Sequence, residues 1–379
     1  MGKEARVEKL KEETRKKEES LHKVLNQPLT FIQKLVVDVA YALYFDVLGK
    51  RPKIDMDAAR LAQEKFRKYF PKTVEEMLQE LLKDPVGYSQ KVREYEEVCP
   101  PVFVEFPTNP ADYTLITRDP SRQLQEIITE LALLSNFPSC EGKYYAIDVG
   151  TGYGRLARVI ENTLKSLCDE KEEYKVFGMD ISETNIEYAR KLNEEVGSEI
   201  VFFARDMNTI PFQPDTFHLV NTTDASYLNF RHRRPFYIAE IARVLRPGIG
   251  RACVTNPNEN TTLKEYNYVM MRTNYRTYLN PVNIIRSTAL GKCSIHIDAL
   301  AKLRPDWELT TTQDMTNSLT RVLKADIIDI NNWPRQGGPS IYSGFTFAVN
   351  DRTKKELTKY IEFRDARRDE EGWINIENI

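Results

Sequence analysis

Residues 144–164, YYAIDVGTGYGRLARVIENTL, constrain the possible folds of this chain more than any other stretch. The run 144–149 is apolar enough for a buried strand. A helix is predicted from apolar residues at helical spacing: Leu156, Val159, Ile160 and Leu164. Between them stand Gly150, Gly152 and Gly154, and glycine lets the main chain take left-handed angles and approach a ligand closely. The stretch predicts a strand, a ligand-binding turn and a helix, although a glycine turn alone also suits an ordinary strand-to-helix connection.

The spacing of the glycines separates two kinds of cofactor turn. The dinucleotide fingerprint G-x-G-x-x-G would need glycine at Arg155. The pattern present is D-x-G-x-G-x-G from Asp148 to Gly154, which resembles the first motif of class I S-adenosylmethionine-dependent methyltransferases. Residues 210–250, with IPFQPDTFHLV and AEIARVLRPGIG, resemble the group that includes the ubiquinone and menaquinone biosynthesis methyltransferases. Two positions depart from that group: His218 replaces an aspartate, and Ile249 interrupts the final glycine pair.

Predicted strands and helices alternate after residue 119. The strands are 144–149, 174–180, 200–206, 217–223 and 250–257, and helices are predicted at 121–134, 184–192 and 234–245. Such alternation is typical of a doubly wound parallel sheet. Two later strands, 307–314 and 340–350, lack an obvious crossover helix, so we expect an antiparallel pair. The predicted fold is α/β, a seven-stranded doubly wound sheet that is mostly parallel with an antiparallel last strand, preceded by an N-terminal helical domain.

Proline and charge patterns divide the chain into segments. Residues 1–98 predict a helical domain, and the proline-rich residues 99–118 predict a linker or strap. The S-adenosylmethionine-binding methyltransferase domain is predicted at 119–350, followed by a C-terminal helical tail at 351–379. Within it, residues 259–295 form an insertion whose Tyr and Met side chains suit either a substrate lid or ordinary helix packing.

Composition limits the class of protein. A net charge of −2 lacks the basic excess typical of proteins that hold nucleic acid by charge. The five cysteines are scattered without a C-x-x-C pair, which favours reduced thiols in a cytoplasmic protein. The start of the chain shows no signal peptide. The apolar run 29–48 contains Lys34, Asp38 and Asp46, so we expect a buried or partner-facing helix and no transmembrane segment.

Aspartates at the ends of three predicted strands indicate where a ligand would bind. Asp148, Asp180 and Asp206 would meet at the carboxyl edge of the sheet, where open α/β sheets bind ligands. One such aspartate is more often a helix cap or turn residue, but three in register favour a site. The resemblance implies S-adenosyl-L-methionine as cofactor and these binding residues: Asp148, Gly150, Thr151, Gly152, Gly154, Asp180, Ile181, Asp206, Met207 and Thr222.

The resemblance also implies a role for each group. Asp148 and the turn would hold the amino acid end, and Asp180 would accept hydrogen bonds from the ribose hydroxyls. Ile181 would lie beside adenine, and Asp206, followed by Met207, would contact its exocyclic amino group.

Candidates for a catalytic group follow the fourth predicted strand: Asp224, Tyr227 and His232. Each is equally compatible with an ordinary loop residue. In an in-line displacement at a sulfonium methyl, proximity and alignment provide most of the catalysis. A base is needed only for a protonated nucleophile.

The methyl acceptor is predicted from charge and from an absent motif. The balanced charge and the lack of an N-P-P-Y type motif after the fourth strand favour a small-molecule or lipid-like substrate and disfavour nucleic acid. Arg231, Arg233 and Arg234 leave phosphate binding open. The alternatives are an RNA or protein methyltransferase, or a non-catalytic subunit acting as a binding module. A homo-oligomer, or a partner on the N-terminal helices, also remains open.

Overall fold

The computed structural model describes residues 2–25, 28, 30–42, 56–70, 72–99, 120–137, 143–168, 173–223, 225, 229–257, 312–333 and 342–376. Two predicted catalytic residues, Asp224 and Tyr227, lie outside the described residues, as does the insertion 259–295. Of the predicted linker 99–118, only Cys99 is described.

The described strands form one seven-stranded sheet. They are β1 (Lys143–Val149), β2 (Glu173–Asp180), β3 (Val201–Ala204), β4 (Leu219–Thr223), β5 (Arg251–Pro257), β6 (Asp326–Trp333) and β7 (Tyr342–Ala348). The order is β3-β2-β1-β4-β5-β7-β6. Strands β1 to β5 are parallel, and β7 is antiparallel to both of its neighbours. The predicted α/β fold is confirmed, and the order reverses between β1 and β4, where open sheets bind ligands.

Helices precede, separate and follow the strands. They are α1 (Lys3–Leu25), α2 (Phe31–Ala42), α3 (Met56–Tyr69), α4 (Val74–Lys83), α5 (Pro85–Val98), α6 (Pro120–Asn136), α7 (Arg155–Leu167), α8 (Glu183–Val196), α9 (Arg234–Val244), α10 (Thr312–Asn317), α11 (Asp351–Glu356) and α12 (Thr358–Asp365). A short π-helical turn, Ser318–Val322, continues α10. The predicted N-terminal helical region is thus present, and α11 and α12 follow the last strand.

Two hydrophobic clusters cover the two faces of the sheet. Alternate residues of a strand point to opposite faces, and β1 accordingly places Tyr145 and Ile147 in one cluster and Tyr144 and Ala146 in the other. Helix α9 and the C-terminal helix α12 contribute to the first cluster, and α6, α7 and α8 contribute to the second.

The N-terminal helices pack onto both faces of this core. Val7 of α1 belongs to the cluster around α6, and the hydroxyl of Thr14 donates to Glu130 at 3.0 Å. Helices α3, α4 and α5 contribute Phe66, Met77 and Tyr95 to the cluster around α9. Residues before and after the predicted linker therefore share hydrophobic clusters, while the domain boundary itself stays a prediction.

Helix α2 exposes apolar side chains. Phe31 is 78% exposed, Ile32 62% and Val39 58%. Among the described residues, no helix is long and apolar enough to cross a membrane. The expected partner on the N-terminal helices stays a prediction.

One predicted strand is wrong over its described part. Residues 312–314 of the stretch 307–314 belong to helix α10, the rest of the stretch lies outside the described residues, and the sixth described strand is β6, Asp326–Trp333. Thr310, Thr311 and Thr312 favour strands by propensity, yet threonine equally suits the start of a helix. The true strand is harder to recognise because β6 lies at the edge of the described sheet, where β7 is its one described neighbour, and mixes isoleucines with polar residues.

A buried ionic network joins the C-terminal tail to the sheet domain. Glu240 of α9, which is wholly buried, accepts hydrogen bonds from Arg243 at 2.8 Å and from the hydroxyl of Tyr360 at 3.0 Å. Arg364 of α12 lies 3.1 Å from the same carboxylate. Burial raises the pKa of Glu240, but the two guanidinium groups outweigh it and leave that pKa lowered.

Candidate cofactor site

The glycine turn joins β1 to α7 in left-handed backbone geometry. The φ angles of Gly150, Gly152 and Gly154 are 75°, 55° and 75°. The amides of Gly150 and Thr151 donate to the carbonyl of Met179 in β2 at 2.8 and 2.9 Å. These bonds hold the turn against the end of β2, next to Asp180.

Two of the glycines differ in what surrounds them. A Cβ added to Gly150 would lie 2.2 Å from the Cβ of Ala225, so close packing excludes a side chain there. A Cβ added to Gly152 would meet no atom of the described residues within 4 Å. Gly152 therefore presents open space beside the turn, as a backbone that is approached by a ligand would.

Asp148 lies beneath the turn. Its carboxylate is 2% exposed and accepts from the hydroxyl of Thr151 and from the side-chain amide of Asn221, both at 2.7 Å. Burial raises the pKa of Asp148, and these two hydrogen bonds oppose the rise. Asp148 and Thr151 thus bind each other, and Asn221 ties the turn to β4.

Arg155 explains why the dinucleotide pattern is absent. Its guanidinium donates to Glu126 at 2.8 Å and to Gln125 at 2.6 Å, both in α6. The side chain at this position therefore joins α7 to α6, which glycine could not do.

Asp180 ends β2 beside the turn. One carboxylate oxygen accepts from the amide of Gly152 at 2.9 Å, and the other accepts from the amide of Ser182 at 2.9 Å. Burial raises the pKa of Asp180, while these amide bonds oppose the rise. A carboxylate has about four acceptor positions, and the side-chain amide of Asn185 takes a third at 3.5 Å. One position then remains, on the oxygen that accepts from Gly152.

Ile181 and Met207 provide apolar surface at the same edge. Ile181, directly after Asp180, is 51% exposed. Met207 is partly buried, and its methyl group lies 4.0 Å from where a Cβ of Gly150 would be. Ile181, the predicted neighbour of adenine, thus lies at the end of β2, and Met207 lies near the turn.

Asp206 lies in a chain of charges that the sequence did not predict. One of its oxygens accepts from the backbone and side-chain amides of Asn208 at 2.9 and 2.7 Å. The other accepts from Arg233 at 2.9 Å. Arg233 also binds both oxygens of Glu96 in α5, at 2.5 and 2.7 Å. No local signal could identify Glu96, because 137 positions separate it from Arg233.

The predicted catalytic residue His232 is buried rather than accessible. Its side chain is 0% exposed, and its ring lies 4.8 Å from that of Tyr95 and 5.5 Å from that of Phe70. Its Nε2 lies 2.8 Å from Glu96, and since a carboxylate only accepts, we assign the proton to Nε2. This position indicates that His232 holds the carboxylate of Glu96 in place and does not contact a substrate.

Thr222 and His218 are buried in the sheet. Thr222 is 1% exposed, and the hydroxyl of Tyr237 in α9 donates to its side chain at 3.4 Å, so the side chain packs toward the helix. The ring of His218 accepts from the amide of Tyr145 at 3.0 Å. Burial and Arg246 lower the pKa of His218 to about 4. His218 therefore has a structural role in holding the backbone of β1.

The three arginines that left phosphate binding open are engaged with protein groups. Arg233 binds Glu96 and Asp206, as described above. Arg234 is 1% exposed and donates to the carbonyl of Asn229 at 3.2 Å. The guanidinium of Arg231 lies 5.7 Å from the ring centre of Phe66. Arg233 and Arg234 are thus held by protein groups, and Arg231 lies against an aromatic ring.

Comparison with known proteins gives one match to a family. Residues 146–248 match the model of the methyltransferase domain. A search of curated protein sequences finds no match.

Solved structures resemble the chain at low identity. The YcgJ protein from Bacillus subtilis is 15% identical over 59% of this chain and 98% of that one, with a TM-score of 0.37. An S-adenosylmethionine-dependent methyltransferase from Aquifex aeolicus is 14% identical over 62% of this chain and 97% of that one, with a TM-score of 0.37. One from Methanosarcina mazei is 16% identical over 57% and 97%, with a TM-score of 0.37.

Proposed function

We propose that this chain, which carries a class I S-adenosylmethionine-dependent methyltransferase domain, transfers the methyl group to a small-molecule or lipid-like acceptor. The domain assignment follows from the family match at 146–248 and from the order of the seven strands. The class of methyl acceptor is our proposal beyond this domain assignment. The engagement of Arg233 and Arg234 within the protein is the observation that carries it.

The residues at the carboxyl edge of the sheet suit the cofactor. Among the described residues, Gly152 leaves open space for the amino acid end, and Asp180 keeps an acceptor position for a ribose hydroxyl on the oxygen that accepts from Gly152. Ile181, half exposed, offers an apolar surface to adenine. We propose that Asp206 accepts from the exocyclic amino group, because one acceptor position remains on its carboxylate.

S-adenosylmethionine would supply a methyl group on a sulfonium centre, which an acceptor displaces in line. The protein would bind and align the two reactants, and such alignment accounts for much of the rate of a displacement with a good leaving group. Asp180 would hold the ribose in place, and the glycine turn would determine how far the cofactor enters the site. We assign no base, because two of the three candidates lie outside the described residues and His232 is buried.

The acceptor class is supported by charge as well as by the arginines. RNA-modifying enzymes need cations that face the phosphate backbone, and the chain has a net charge of −2. Arg233 is held by two carboxylates, and Arg234 is buried. A neutral or apolar acceptor is therefore the better match to the described residues.

The first experiment tests the cofactor. Calorimetric titration with S-adenosylmethionine, and separately with NAD, should give binding of the methyl donor only. Tight NAD binding without a response to the methyl donor would contradict the assignment.

The second experiment tests the acceptor. Full-length protein is incubated with donor labelled in its methyl group and with fractionated cell extract, and the Asp180→Ala variant serves as the inactive control. We expect label in the small-molecule or lipid fraction. Label confined to RNA or to protein would refute the proposed acceptor class and leave methyl transfer itself intact.

A further inference from the structure

We infer that Glu96 of α5 is a positioning residue for adenine: through Arg233 it fixes Asp206 so that the site selects a base with an exocyclic amino group. This inference rests on the proposed function. It assigns a specificity role to a helix that lies before the methyltransferase domain in the sequence. The residues involved are Glu96, Arg233, Asp206 and Asn208, all of which the structure describes.

The guanidinium of Arg233 is held at three points. Its Nε and Nη2 donate to the two oxygens of Glu96 at 2.5 and 2.7 Å, and its Nη1 donates to Asp206 at 2.9 Å. A planar guanidinium bound to both oxygens of one carboxylate has little rotational freedom. Glu96 thereby determines the direction from which Nη1 reaches Asp206.

The acceptor positions of Asp206 are almost filled. Oδ1 accepts two hydrogen bonds from Asn208, and Oδ2 accepts one from Arg233. With about four acceptor positions on a carboxylate, one remains, on Oδ2. The side chain is 27% exposed, so a ligand has access to it. A donor such as an amino group suits that position, whereas a carbonyl oxygen would face a negative charge.

Glu96 is well suited to stay charged and in place. Its side chain is 15% exposed and also contacts His232 Nε2 at 2.8 Å. Arg233 and His232 together lower the pKa of Glu96 to about 2, against the opposing effect of burial. Without Glu96, the fork of Arg233 would lose its bidentate partner and would turn its second terminal nitrogen toward Asp206. That arrangement would fill the last acceptor position and remove the selection for an amino group.

The test compares two ligands that differ only at the base. S-adenosylhomocysteine carries the amino group, and S-inosylhomocysteine carries a carbonyl oxygen instead. Affinities for both are measured by calorimetry on the full chain. We expect the wild type to prefer the adenosyl ligand about tenfold or more, as hydrogen bonds to charged groups allow, and Glu96→Gln to reduce this ratio severalfold. The amide of glutamine would place a donor against the guanidinium.

Two further variants isolate the effect. Glu94→Gln changes an exposed carboxylate of the same helix, whose partner is Gln90, and should leave the ratio unchanged. Glu96→Asp keeps the charge and should retain more of the preference than Glu96→Gln. It also provides the measurement if Glu96→Gln does not fold. A merely structural role would lower both affinities together and leave their ratio as in the wild type.

The results of this test separate a failure of the inference about Glu96 from a failure of the proposed function. If the wild type binds neither ligand, the cofactor assignment fails and the inference with it. If the wild type binds both equally, or if Glu96→Gln retains the full preference, the inference is overturned while the cofactor assignment stands. A lower ratio in Glu96→Gln, with an unchanged ratio in Glu94→Gln, supports it.

Discussion

Replacing Gly152 by alanine should separate cofactor binding from folding. Gly152 has φ +55°, and an added Cβ would meet no atom of the described chain within 4 Å. The substitution therefore creates no clash in the ligand-free protein. If the amino acid end of the cofactor approaches this turn, the same methyl group would stand in its way.

The size of each effect follows from these two facts. A non-glycine residue in the left-handed region costs about 1–2 kcal/mol of the free energy of unfolding. A methyl group forced into a close-packed contact costs about 1–3 kcal/mol. Because about 1.4 kcal/mol corresponds to a tenfold change in Kd, we expect about 5- to 150-fold weaker binding of S-adenosylhomocysteine.

Gly197 provides the matched control. It has φ +63°, and an added Cβ would also meet no atom within 4 Å, but it lies at the C-cap of α8. The Gly197→Ala variant should lose a similar free energy of unfolding in urea titration while keeping wild-type affinity by calorimetry.

The comparison can refute the reasoning in two ways. Wild-type affinity in Gly152→Ala would mean that the ligand does not approach the turn at this residue. Equal losses of affinity in both alanine variants would mean that backbone strain, rather than contact with the ligand, weakens binding.

Three further predictions follow from the described contacts. Asp180→Ala should weaken calorimetric binding of S-adenosylhomocysteine tenfold or more, because it removes charge-assisted hydrogen bonds; unchanged affinity would mean that Asp180 does not hold the ribose. Glu240→Ala should lower the free energy of unfolding in urea by about 3–5 kcal/mol, since it removes the carboxylate that the buried Arg243 binds and leaves Arg364 with Glu371 alone of its two described carboxylates; a loss under about 1 kcal/mol would contradict this. His218 has its pKa lowered to about 4, so the unfolded chain binds the proton more readily, and stability should fall as the pH drops from about 6.5 toward 4. Urea titrations across that pH range should show a smaller fall in His218→Gln, and an identical fall in both proteins would exclude this contribution.

Local sequence patterns are sufficient to predict much of the sheet and the turn. Strand β1, the three glycines and α7 lie in one contiguous stretch. The spacing of apolar residues and the glycines that allow left-handed backbone angles can both be read from residues that are close in the sequence. The same reasoning finds Asp180, because strand ends follow from the pattern. It fails at β6, since an edge strand is buried less and its pattern is mixed with polar residues.

The surroundings of the site depend on contacts between distant segments. Arg233 and His232 look like exposed loop residues in the sequence, yet α5 brings Glu96 against both. Thr151 looks like a cofactor contact, yet its hydroxyl binds Asp148. Pairings of this kind depend on how helices pack against the sheet, and that packing is set by the shape of the whole core rather than by the residues on either side of each group in the chain.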